Sequence, residues 1–277
     1  MGEQKGIAMT SVFDRIIAGA AEDVAARKAV VPFSEIKARS YDVEPPRDAL
    51  GALQGTGCGV IAEIKRATPL KGIIADFDSP ENLAQQFEAG GARLIGCQTE
   101  RRRFHGSLED LRRVHNAVSV PVMCRDFIVD PYQIHEARVY GADVVPLLVV
   151  ALEQSRLEAL LDRVQSLGMV ALLEVRTPEE ATRAIAAGAR VIGVNARDLT
   201  TLKVNREVFA AIAPGLPRGV VRVALSGVRT PLDLMSYAGA GADAVVIGEN
   251  LVTSADPVEV CRKLVAAGQH PSCPASR

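Results

Sequence analysis

Long apolar runs are missing from this chain of 277 residues. No stretch approaches the roughly 20 uninterrupted apolar residues that a membrane-spanning helix needs, and the N-terminus lacks a signal-peptide pattern. An excess of either charge is missing too: 32 Lys and Arg stand against 33 Asp and Glu, a formal net charge of -1. That balance gives no electrostatic reason to expect nucleic acid or an anionic membrane as a partner. Cysteine is sparse and odd in number, with five residues (Cys58, Cys97, Cys124, Cys261, Cys273). They show no C-x-x-C and no Cys/His spacing, which argues against both a disulfide framework and a zinc site. Four scattered histidines form no ligand cluster. The expectation is a cytoplasmic enzyme without a metal, its oligomeric state unreadable from the chain.

With 48% apolar residues the chain can bury one large core. Apolar residues recur at helical spacing over 11–29, with Ser11 as N-cap, so an N-terminal helix is expected to precede the first strand and lid one end of the fold. The segment 41–59, with Pro45, Pro46 and its glycines, reads as connector. Short apolar runs then alternate with amphipathic stretches. Strands are expected at 60–64, 93–97, 120–124, 144–148, 169–174, 191–194, 221–224 and 244–247, each followed by a helix, the pattern of a parallel sheet buried on both faces. Gly-Ala precedes a strand at Gly91, Gly141, Gly188 and Gly241, intervals of about fifty residues or two strand-helix units. Even spacing predicts closure into a (β/α)8 TIM barrel with an N-terminal helical extension. Extension and connector fall in 1–57, the barrel in 58–268 and a tail in 269–277. No Gly-x-Gly-x-x-Gly follows a strand, which counts against a dinucleotide-binding doubly wound sheet.

In such a barrel the chemistry gathers at the carboxyl ends of the strands. Glu63 and Lys65 share one face of the first strand, and Pro69 and Gly72 break the chain just beyond them. The later strand ends carry Gln98, Arg125, Pro146, Glu174, Asn195 with Arg197, Leu225, then Ser226 with Gly227, and Gly248. Carboxylates, a lysine, an arginine and an amide converging on one mouth point to a polar substrate. Ser226, Gly227 and Gly248 stand after strands seven and eight, where small residues and a following helix form the usual barrel phosphate site. Tight turns that need glycine are the alternative there.

Several ordered motifs resemble those of indole-3-glycerol phosphate synthase: residues 61–69, Thr99-Glu100 followed by 104–107, Arg125-Asp126-Phe127 with 131–134, 173–175, 193–199 and 226–228. The resemblance runs from about residue 11 to 268. It implies a cofactor-free (β/α)8 lyase of tryptophan biosynthesis, acting on a carboxyphenylamino-deoxyribulose 5-phosphate. It also implies roles. Lys65 would contact the carboxylate or act as an acid, Glu174 would serve dehydration, and Glu63 would tune the lysines. Asn195 would bind sugar hydroxyls, Phe104 would line the aryl pocket, and Ser226, Gly227 and Gly248 would hold phosphate.

The chain departs from the family pattern at four strand ends. Arg125 stands where the family has its general-acid lysine, and a guanidinium does not readily give up a proton. Leu225 replaces a glutamate that stabilises the cationic intermediate. Gln98 replaces an aliphatic residue, and Pro146 a leucine. Glu63, Lys65, Glu174, Asn195 and the phosphate loops are intact. The leading expectation is therefore a synthase-like enzyme whose ring closure, decarboxylation or dehydration is altered by Arg125 and Leu225. The alternatives are the ordinary synthase, with Lys65 taking over as acid, and a non-catalytic phosphate-binding paralogue.

Overall fold

The computed structural model describes residues 11–273, so the outer ends of the expected extension and tail, 1–10 and 274–277, lie outside the described residues. Eight parallel strands close into a barrel. They are β1 (Gly59–Ile64), β2 (Leu94–Gln98), β3 (Val122–Arg125), β4 (Val144–Leu148), β5 (Val170–Val175), β6 (Val191–Asn195), β7 (Val221–Leu225) and β8 (Ala244–Ile247). β1 pairs with both β2 and β8, for example Glu63 with Gly96 and Val60 with Val245, and this closes the ring. Alternate residues of each strand face inward. Ile61, Leu94, Met123, Val144, Leu172, Val191, Val223 and Val246 meet there in one buried cluster.

The helices start where local chemistry directs. Five begin on proline, at Pro80, Pro131, Pro178, Pro231 and Pro257, a residue with no N–H to leave unsatisfied at that position. Three helices precede the barrel: α1 (Val12–Val30), α2 (Phe33–Arg39) and α3 (Ala49–Leu53). Those that follow are α4 (Pro80–Ala89), α5 (Leu108–Ala117), α6 (Pro131–Val139), α7 (Gln154–Ser166), α8 (Pro178–Ala186), α9 (Glu207–Ile212), α10 (Pro231–Gly239), α11 (Glu249–Val252) and α12 (Pro257–Gly268). Ser11 caps α1 in a reciprocal box with Asp14, as its position before the apolar periodicity predicts. α1 lies against α6 through Arg27 Nε to Glu136 (2.9 Å) and Lys28 Nζ to Asp130 (2.7 Å). Its middle reaches the loop after β2, where Arg102 grips Glu22 and Asp23.

Three local expectations need correction. The connector 41–59 contains α3, whose Ala49 and Leu53 join the inner cluster and plug the amino end of the barrel. A five-residue helix is too short to show periodicity, and only the open barrel end supplies its packing partner. The break after Lys65 is a small hairpin, Ala67–Thr68 against Gly72–Ile73, turning on Gly72 at φ 66°. Five strands end one residue later than expected, because the ladders continue through Gln98, Arg125, Val175, Asn195 and Leu225. Pro146 has the opposite effect. It has no N–H to donate, and the β3–β4 ladder is reduced to the Met123–Val144 pair.

Candidate active site

Inward parity decides which side chains share the mouth. Glu63 and Lys65 follow Ile61, Gln98 follows Leu94, Arg125 follows Met123, Glu174 follows Leu172, and Asn195 follows Val191 and Gly193. The carboxyl ends of β1, β2, β3, β5 and β6 therefore point into one space, and a continuous set of polar contacts joins them. Lys65 Nζ donates to Glu63 Oε2 at 2.6 Å. Arg125 Nε donates to Glu63 Oε1 at 3.1 Å, and Gln98 Nε2 donates to the same oxygen at 3.3 Å. Arg125 Nη1 donates to Glu174 Oε1. Asn195 Nδ2 faces Glu174 Oε2 at 3.5 Å, while Asn195 Oδ1 accepts from Ser226 Oγ at 3.1 Å and from the Arg197 amide at 3.0 Å.

This ring holds two cations and two anions, and Arg125 bridges both carboxylates. Burial pushes the Glu63 carboxyl upward, but the Lys65 ammonium and the Arg125 guanidinium beside it outweigh burial and hold its pKa at about 2. For Arg125 burial acts downward, and the neighbouring Glu174 and Glu63 charges lift it above its ordinary value. Arg125 is thus a fixed charge.

The pairing of Glu63 has a consequence for acid stability. Its folded pKa is depressed from the usual 4.5 to about 2. The stabilisation it contributes, on the order of 3 kcal/mol, is complete above about pH 4.5 and is lost as the pH falls from there toward 2. The melting temperature of the wild type is therefore expected to exceed that of Glu63→Gln by a margin that shrinks across that window. A margin that stays constant from pH 6 to 3 would contradict the pairing.

The remaining predicted residues divide. Leu225 is buried and packs over Gly193, where an added Cβ would sit 2.9 Å from Leu225 Cδ1; it fills the wall of the barrel. Pro146 is in register with Leu172, whereas Leu148 is the β4 residue paired with Glu174. Arg197 turns one nitrogen to the Leu202 carbonyl at 2.9 Å and helps hold the loop after β6. Phe104 pairs with Phe127 at 6.2 Å between ring centroids, joining the loops after β2 and β3. The sequence places Phe127 in the Arg125-Asp126-Phe127 motif but assigns it no role. It also assigns none to Lys71, whose ammonium crosses from the β1 hairpin to Glu249 at the start of α11.

The loops after β7 and β8 lie side by side, tied by Asn250 Nδ2 to the Arg229 carbonyl at 2.8 Å. Ser226 adopts φ 70°, which is rare for a residue with a side chain, and Tyr237 Oη donates to its carbonyl at 3.0 Å. Gly227 follows at φ 87°. Gly248 is needed for a different reason. A Cβ there would stand 2.6 Å from Glu63 Oε2 and 2.9 Å from Lys65 Cε and Nζ. Gly248→Ala is expected to push the Glu63–Lys65 pair aside and lower kcat roughly 100-fold, the scale of a ~1 Å misplacement. Steady-state kinetics with a thermal melt would check this; an active, equally stable variant would show the pair to be mobile.

Among the described residues no group of three or more His, Cys, Asp or Glu could hold a metal. No described helix is long and apolar enough to cross a membrane.

The family model for indole-3-glycerol phosphate synthase matches residues 13–264. A protein of that name from Mycobacterium sp. (strain KMS) is 60% identical over 264 residues, 95% of this chain and 97% of its own. Another of that name, from Mycobacterium avium (strain 104), is 59% identical over the same shares. Among solved structures, 3-hexulose-6-phosphate synthase from Salmonella typhimurium superposes with a TM-score of 0.57 at 15% identity, covering 76% of this chain and 97% of that one, a likeness of fold alone.

Proposed function

The chain belongs to the indole-3-glycerol phosphate synthase family, and on that premise we propose that it catalyses the ordinary synthase reaction, a step of tryptophan biosynthesis. The substrate is a carboxyphenylamino-deoxyribulose 5-phosphate, and the enzyme is a carboxy-lyase. Relatives of this name at 59–60% identity over nearly the whole length favour that reaction over the altered chemistry expected from Arg125 and Leu225. The observation that carries the reading is the side-chain ring itself, in which Lys65, Glu63, Arg125, Glu174 and Asn195 converge despite the substitutions around them.

The aryl ring lies against Phe104 and Phe127, Asn195 binds the sugar hydroxyls, and the loops at Ser226, Gly227 and Gly248 hold the phosphate. The ring carbon bearing the carboxylate attacks the ketone carbon. Arg125 stabilises the charge developing on the ketone oxygen, and Lys65 supplies the proton that turns it into a hydroxyl. The carboxylate leaves as CO2, its electron pair restoring the aromatic ring. Glu174 then passes a proton from the carbon beside nitrogen to the hydroxyl, which departs as water and leaves the indole. Lys65 recovers its proton from solvent.

The test is purified protein with this substrate, following indole fluorescence and CO2 together. Indole formation at a turnover in the usual range of about 1 to 1000 per second supports the proposal. CO2 without indole, or no turnover, overturns it.

A further inference from the structure

Gln98 ends β2 on the inner face, in register with Arg125. Its side chain is buried, the residue being 7% exposed. The amide can face only one way: Nε2 donates to Glu63 Oε1, and a reversed amide would set a carbonyl oxygen against a carboxylate held ionised. Gln98 Oε1 is thereby turned away from Glu63, buried and without a partner. Buried polar atoms are nearly always paired, and an aliphatic side chain would fill the same space without this deficit. An orphaned acceptor inside a mouth lined with cations and an aromatic pair is a place for a donor brought by the ligand.

We propose that Gln98 Oε1 accepts a hydrogen bond from the anilinic N–H of the substrate, an inference that rests on the synthase reading above. The placement of the two halves of the substrate selects this donor. The loops after β2 and β3 carry Phe104 and Phe127, the aryl end, while Asn195, Ser226 and Gly248 on β6 to β8 mark the sugar phosphate end. The nitrogen joins the two halves, and Gln98 stands at the aryl side next to Arg125. As the ring closes, the nitrogen lone pair is drawn toward the electron-poor ring, and its N–H becomes a stronger donor. A fixed carbonyl facing that N–H stabilises the cationic intermediate. No carboxylate stands at 225 on β7 to do so, since that residue is Leu225, packed against Gly193.

The test compares Gln98→Met with wild type, using two ligands in which the ketone is reduced to an alcohol: one keeps the N–H, and the other replaces it with a methylene. Wild type is expected to bind the N–H ligand roughly 10-fold more tightly than the methylene ligand by calorimetry, and the variant to bind the two within about 2-fold. With the true substrate the variant should lose roughly 10- to 100-fold in kcat/KM, because the hydrogen bond strengthens as charge develops. If the variant weakens both ligands equally, Gln98 merely supports Glu63 and the proposal fails; equal binding of both ligands by wild type overturns it as well. Gln98→Leu serves as a second variant if Gln98→Met does not fold. Wild type that binds these ligands with the expected preference but forms no indole would overturn the synthase reading and leave the contact standing.

Discussion

Lys65→Met is expected to lower kcat by roughly 100- to 10,000-fold, the range for loss of a positioned general acid. It removes the ammonium that donates to Glu63 Oε2 at 2.6 Å and leaves Arg125, a cation that stabilises an oxyanion without yielding a proton. In the proposed mechanism protonation of the ketone oxygen accompanies ring closure, which precedes both loss of CO2 and loss of water. Release of CO2 and appearance of indole should therefore slow together in a single turnover. The fold should persist, because Glu63 keeps its contacts with Arg125 and Gln98; the loss of stability should stay below the ~3 to 5 kcal/mol of a fully orphaned buried charge. Rapid quench for CO2, stopped-flow fluorescence for indole and a thermal melt would measure all three. A variant within 10-fold of wild type would remove Lys65 from the acid role.

Glu174→Gln is expected to be as damaging but to divide the two signals. The amide keeps the shape of the side chain and can still accept from Arg125 Nη1, so binding of the substrate should change little. What it cannot do is carry a proton between the carbon beside nitrogen and the departing hydroxyl. In the first turnover CO2 should appear before indole, with a cyclised hydroxyindoline in between whose benzene ring is restored but whose five-membered ring is not yet unsaturated, and steady-state indole formation should fall roughly 100- to 10,000-fold. If in the first turnover CO2 and indole slow by the same factor, Glu174 acts at ring closure and its assigned step is wrong.

Together the two variants assign different steps to residues that share one hydrogen-bonded ring. Their effects should not be additive in the double variant, since Arg125 connects Glu63 with Glu174 and each change alters the charge the other residue sees.

The amino-acid sequence by itself determined the barrel and the membership of its mouth. Eight apolar runs at even spacing demand a parallel sheet covered on both faces, and the period of two along each strand puts Glu63 with Lys65 on one side. Polar residues at the ends of apolar runs gather at the barrel mouth, so the convergence of Gln98, Arg125, Glu174 and Asn195 was legible. The ordered motifs added the family. Their departures at 125 and 225 suggested altered chemistry, a suggestion the closely similar synthases do not support. Only the tertiary structure decided how these groups are joined. That Arg125 bridges two carboxylates, that Leu225 fills the space above Gly193, that Gly248 leaves room for Lys65, and that Gln98 holds an unpartnered oxygen all depend on distances between strands far apart in the chain. The same holds for α3, a helix too short to stand alone, which forms because the barrel end offers its Ala49 and Leu53 a place to be buried. Periodicity reports which face a side chain takes. Which atom it meets across that face is set by strand register and barrel closure, and these are properties of the assembled sheet.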